Sequence, residues 1–305
     1  MALKIAAPLI VFLACETIER LFNLAEYKDI YHAINGIIFA WLLLAIVRYL
    51  LTSQAEKETP EFAIAKLYNA KPVYPLITDN ERRAACAEAL YLIGETSVHH
   101  ASISYVNSLE QLDLNNNDDI KEARLLMSTT WNIDCDRALR KTLRQLITSA
   151  TSCADIPMKS IAAKERYMTF LQNQGLPFQD VDTCPITGYD LVRASWLARI
   201  GFSVGYIDEQ EARDFLNIIG ELIQQQYSSW EQLTASYLMM YLEWNGGLKG
   251  VLGGLLSGLV AKDRILGARI LLEDAASPFR HHDFPLYTSC QAEIAACVGG
   301  AGRSR

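Results

Sequence analysis

Between Gly188 and Trp244 the chain spells out three helices in close succession, and this run constrains the fold more than anything else in it. In the first, Tyr189, Val192 and Trp196 fall along one side at helical spacing, which marks that side as the buried one. Thr187 stands three residues before Asp190, so a hydroxyl can cap the start while a carboxylate in the first turn complements the dipole. Asp190 and Arg193, three apart, share a face and can pair. Gly201 and Gly205 bracket the exit. Asp208-Glu209-Gln210-Glu211 has capping-box spacing and opens a second helix, with Ala212, Phe215, Leu216, Ile219, Leu222 and Ile223 on one stripe. Ser228-Ser229-Trp230-Glu231 repeats the spacing before Leu233, Tyr237, Met240, Tyr241 and Trp244. Two tight connections make a bundle segment, and the aromatic stripe reads as core before it reads as a cofactor box.

The flanking sequence follows the same grammar. Thr78-Asp79-Asn80-Glu81 is a further capping box, ahead of Ala84 to Gly94. Leu112 to Asp119 breaks the pattern, and a helix restarts near Ile120. Asp113, Asn115 and Asn117 fit alternate calcium-loop positions, but Asp118 occupies the glycine position and Arg124 stands where the bidentate glutamate is required. A helix-starting loop is the better reading. Leu139, Leu143, Leu146 and Ile147 give another stripe, and Gly175-Leu176-Pro177 ends the helix after it. Alternating strand patterns are scarce, so the expected class is all-α, a compact multi-helix domain over residues 61–287 with a mobile tail over 288–305.

The amino-terminal residues 1–53 differ in character. Ile5 to Cys15 is apolar, and Ala33 to Leu51 is long enough to cross a bilayer core. A helical hairpin at about residues 5–51 fits both, since Lys4 and Arg48 at its ends would hold them, and the main domain, in the cytoplasm. The expected location is therefore the inner membrane, with residues 54–60 as linker. The competing reading packs the two helices onto a cytoplasmic domain.

A net charge of −7 with dispersed cations argues against a nucleic-acid partner. The mild basic cluster of Arg137, Arg140, Lys141 and Arg144 reads as a solvated helix face. Seven cysteines without a C-x-x-C pair favour a reducing compartment and give no metal knuckle. The pairs His99–His100 and His281–His282 point about 100° apart on a helix and do not share a metal. No hydrolase elbow, phosphate loop, dinucleotide fingerprint or zinc-protease helix is present, so no cofactor and no metal are expected. Gly246, Gly250, Gly254 and Gly258 recur every fourth residue and permit a closely packed or membrane-surface helix.

Asp190-Leu191-x-Arg193, Gly205-Tyr206-Ile207 with Glu211-Ala212, and Ser229-Trp230-Glu231 together resemble the bacterial domain of unknown function 1266 family. Its carboxy-terminal signature is matched by Ser277-Pro278-Phe279 and Phe284-Pro285-Leu286, and its amino-terminal part, a tryptophan opening a helix, by Trp131-Asn132-Ile133. The resemblance spans about Leu125 to Leu286. Tyr189 and Phe279 stand where the family has tryptophans, which keeps packing more readily than an indole hydrogen bond. The family has no established activity, so the resemblance implies an architecture and no reaction.

The leading expectation is a membrane-tethered, non-catalytic protein that binds another protein, for example an immunity protein neutralising a toxin. A rival reading makes Asp190, Arg193 and Glu211, joined by Glu243 or Asp274, an acid–base or phosphate-handling cluster in a cleft. Against it, the first two form a structural ion pair and Glu211 an N-terminal cap. A purely structural or membrane-assembly role is the third reading.

Overall fold

A computed structural model describes residues 67–69, 71–93, 105–176, 178–179, 181–245, 261 and 264–281. The chain divides into two compact units, Met1–Glu58 and Thr59–Arg305, and every described residue belongs to the second. The expected hairpin, the linker at 54–60, His99, His100, His282, the glycine-rich segment 246–258 and the tail lie outside the described residues.

The second unit is all-α. Its helices are α1 (Asp79–Leu92), α2 (Asn117–Trp131), α3 (Asp136–Ser152), α4 (Lys164–Asn173), α5 (Gly188–Ser203), α6 (Glu209–Gln226), α7 (Trp230–Trp244) and α8 (264–273). A 3₁₀ turn at Met158–Ser160 precedes α4, and a single turn at Pro278–His281 closes the described chain. Extended pairing among the described residues is confined to isolated bridges, Pro75 with Ser108 and Pro157 with Pro185.

Helix α5 is the axis, and α1, α3, α6 and α7 all pack on it. Thirteen of its sixteen residues are buried, so the one-sided amphipathic helix expected from Tyr189, Val192 and Trp196 is enclosed nearly all round. Asp190 and Arg193 fall on the strip that remains partly open. By contrast, α3 keeps Leu139 and Leu143 fully buried and exposes its other side, as its stripe predicts.

Helix ends follow local chemistry with several departures. The Thr78–Glu81 capping box is complete, and the Glu81 carboxylate also takes a hydrogen bond from Arg213 of α6 at 2.9 Å. Asn116 caps α2 through Asp118 and Asp119. Trp131 ends α2 instead of opening a helix, because Asn132 turns left-handed (φ 53°) and stops it. Thr187 occupies the N-cap of α5 but makes no cap bond, since its hydroxyl is taken by Gln226 and Tyr227. The third box lies one residue later than its spacing suggested. Ser229 caps α7 through Gln232 N, and the Gln232 side chain accepts from Ser228 N at 3.0 Å. Trp244, expected in the buried stripe, is 66% exposed.

Candidate functional site

The residues that carried the resemblance fall into three places. At the start of α5, Gly188 N donates to Ser236 Oγ at 3.0 Å, so α7 supplies the cap that Thr187 does not. One turn on, the Arg193 guanidinium pairs with Asp190 Oδ1, while Ser149 of α3 donates to Asp190 Oδ2 at 2.9 Å. The guanidinium also lies 4.1 Å from the Tyr189 ring centre and 5.5 Å from that of Trp131. Trp131 in turn stacks on Trp196 at 6.0 Å, and exposed Trp244 packs against Tyr189 at 6.1 Å. A half-buried cation is thus flanked by aromatics from two helices, α5 and α2, an arrangement attractive by quadrupole and by dispersion. Its Nε is buried with no hydrogen-bond partner. Burial pushes the Tyr189 phenol up, so it stays protonated at neutral pH.

Glu211 belongs to the other end of α5. Asp208 Oδ1 accepts from Glu211 N at 2.9 Å and caps α6. The Glu211 carboxylate does not complete the box. It receives two bonds from Arg140 of α3, Nε at 2.7 Å and Nη2 at 2.9 Å, while Asp136 also pairs with Arg140. Hydrogen bonding to Arg140 holds the Asp136 carboxyl below its ordinary range. Beside this cluster Gly205 adopts φ +78°, a left-handed turn that lets Tyr206 N reach Gly201 O at 2.8 Å. Tyr206 Oη donates to Asp134 O at 3.1 Å, and Arg124 lies 5.6 Å from the Tyr206 ring centre. Gly205 and Tyr206 therefore fasten the end of α5 to α2 and the α2–α3 turn.

Arg140 and Ser149 are nine residues apart on α3, about 13 Å along its axis. The Asp190–Arg193 pair and Glu211 accordingly form two separate clusters, one at each end of that stretch. Glu243 accepts a hydrogen bond from Tyr167, and Asp274 accepts from Ala276 N at 2.7 Å, so neither joins the pair.

The third place unites the last two signature segments. Trp230, first residue of α7, stacks on Phe279 with ring centres 4.3 Å apart and planes 2° from parallel. Ser277 Oγ donates to Leu271 O at 2.6 Å and accepts from Phe279 N at 3.2 Å, which fixes the turn that presents the ring. Phenylalanine in place of tryptophan supplies the stacking surface. Phe284, Pro285 and Leu286 lie outside the described residues.

Sequence reasoning missed the most enclosed polar group. Glu88 of α1 and Arg199 of α5 pair at 2.9 Å with no exposed side-chain surface. Ser195 Oγ donates to Glu88 Oε2 at 3.2 Å, Gln111 Nε2 donates to Glu88 Oε1, and Arg199 gives two bonds to Ser108 O. Loss of hydration pushes the Glu88 carboxyl up, and Arg199 opposes that shift. The available signal was a lone carboxylate inside an apolar helical run, which demands a buried partner. No solvent reaches either group, so in this arrangement they join helices and meet no substrate.

Two open hollows mark the surface. One of about 630 Å³ is lined by Arg137, Arg140, Lys141, Arg144, Gln145 and Thr148, and one of about 600 Å³ lies beside Met168, Phe178 and the Lys164–Asp182 pair. Asp190, Arg193 and Glu211 line neither. Among the described residues, no group of three or more histidine, cysteine or carboxylate side chains is placed to hold a metal ion.

No curated protein and no solved structure matches the chain at a significant level. A family model described as protein of unknown function (DUF1266) matches residues 102–284, which takes in Trp131, the whole of α5 to α7, and the Ser277–Phe279 turn. With well over half its length matched, and with the matched residues knitting one bundle together, the chain belongs to the DUF1266 family.

Proposed function

We propose that this protein is a binding partner and not a catalyst. It is held at the inner membrane through residues of about 5–51, with its helical domain in the cytoplasm. The observation that carries the reading is the surface at the start of α5, where exposed Trp244 packs on Tyr189 beside Arg193 and Trp131. Tryptophan, tyrosine and arginine are the residues that dominate binding energy at protein interfaces, and here they stand together. The polar signature groups also support it: Asp190 is engaged by Arg193 and Ser149, and Glu211 by Arg140, in separate clusters. Neutralisation of a toxin is the specific form that suits an acidic helical domain, since a net charge of −7 favours encounter with a basic partner.

The test is co-purification from gently solubilised cells. Trp244→Ala should lower recovery of the partner by at least about tenfold, a hot-spot loss of ~1.4 kcal/mol or more, with an unchanged melting temperature. If Asp190→Asn with Arg193→Gln abolishes a measurable turnover while the fold is intact and Trp244→Ala is silent, the enzyme reading replaces this one.

A further inference from the structure

We infer that the exposed face of α3 is a docking surface for anionic phospholipid headgroups. Arg137, Lys141 and Arg144 stand at i, i+4 and i+7, so they rise in one column about 10 Å long and border the 630 Å³ hollow with Arg140, Gln145 and Thr148. Arg140 is committed to Asp136 and Glu211. The side chains of Arg137, Lys141 and Arg144 are exposed and have no ion-pair or hydrogen-bond partner among the described residues. In a chain of net charge −7, three unneutralised cations on one helix face form a local reversal of sign.

The composition of this face selects the occupant. The other exposed residues of α3 are Asp136, which is paired with Arg140, and Gln145, Thr148, Ser149, Thr151 and Ser152, and they include no aromatic or aliphatic anchor of the kind that carries a protein interface. Flexible basic side chains without an apolar centre suit the diffuse negative field of a lipid surface, where each contributes independently and within a Debye length. The apolar segments of residues 5–51 supply the second argument, since a bilayer-length stretch brings the domain within reach of headgroups. In that respect the inference rests on the tether proposed above.

Full-length protein is mixed with phosphatidylcholine vesicles, with and without phosphatidylglycerol, and the bound fraction is measured by flotation. Wild type should bind the anionic vesicles more tightly, in a salt-sensitive way. The R137E/K141E/R144E triple variant should lose that increment on the order of a hundredfold, and each single reversal about fivefold or more. The K71E/K159E/R280E triple variant, whose exposed sites lie elsewhere and which carries the same total charge, should keep it. Equal behaviour of the two triple variants, or no increment in wild type, overturns the assignment. Complete removal of the increment by polyglutamate at charge concentrations far below that of the lipid overturns it in favour of an acidic protein. Binding to phosphatidylcholine alone reports the apolar tether. Loss of that binding with the increment retained sinks the tether and leaves α3 standing.

Discussion

Glu88 and Arg199 are separated by 111 residues in sequence and by 2.9 Å in space, with no exposed surface on either side chain. A pair this deep has given up hydration that its mutual attraction only partly restores, so its removal and its rupture have different consequences. Glu88→Gln leaves an uncompensated guanidinium, and Arg199→Met strands both Glu88 and the Ser108 carbonyl; each should destabilise by about 3–5 kcal/mol in urea unfolding. The E88M/R199M double variant should be more stable than either single variant, because no buried charge remains. A Glu88→Gln cost below about 1 kcal/mol would show that the pair is not the enclosed lock described here.

At the scale of elements, α1 and α6 approach each other closely at Gly220. A Cβ on Gly220 would run into the Asn80 carbonyl, whose carbon lies at 2.6 Å, and Arg83 spans the crossing to Gly220 O at 3.2 Å. Backbone cannot swing aside as a side chain can. Gly201 of α5 meets only the flexible tip of Leu139. Gly220→Ala should therefore cost about 1–3 kcal/mol, whereas Gly201→Ala should come out within about 1 kcal/mol of wild type, its strain offset by better helix propensity. Equal losses in thermal melts would refute the distinction. The same contrast explains what the sequence could reveal. Thr78, Asp208 and Ser229 serve ends of their own helices, so short-range spacing found those ends to within a residue. Thr187 and Glu211 are claimed by partners from the end of α6, the turn after it and α3, and no local pattern announces a partner 39 to 71 residues away. Trp131 misled because it sits between two helices, and only the left-handed turn at Asn132 decides which one owns it.

For the whole molecule, the separation of Met1–Glu58 from Thr59–Arg305 implies that the helical domain holds its own core. A variant lacking residues 1–58 should unfold in one cooperative transition within a few degrees of the full chain, and, on the proposed tether, should be lost from a membrane fraction that retains the full chain. Equal solubility of the two would remove the tether. No described helix is long and apolar enough to cross a membrane. The all-α class was legible because helical periodicity repeats from α1 to α7. The assembly around α5 was not, because a helix buried nearly all round is not delimited by a stripe, and Asp190 and Arg193 looked like a site when they mark its less covered strip.

The borrowed hydroxyl at the head of α5 also sets an order of events. Gly188 leaves the ribosome 48 residues ahead of Ser236, so the first turn of the central helix is made with its leading amide unanswered. Until α6 and α7 have been synthesised, α5 can lie only against α1 and α3, and the sides that face the two later helices stay open. The centre of this protein therefore cannot close before α7 is made, and a nascent chain halted between these two residues leaves the flank of α5 meant for α7 open.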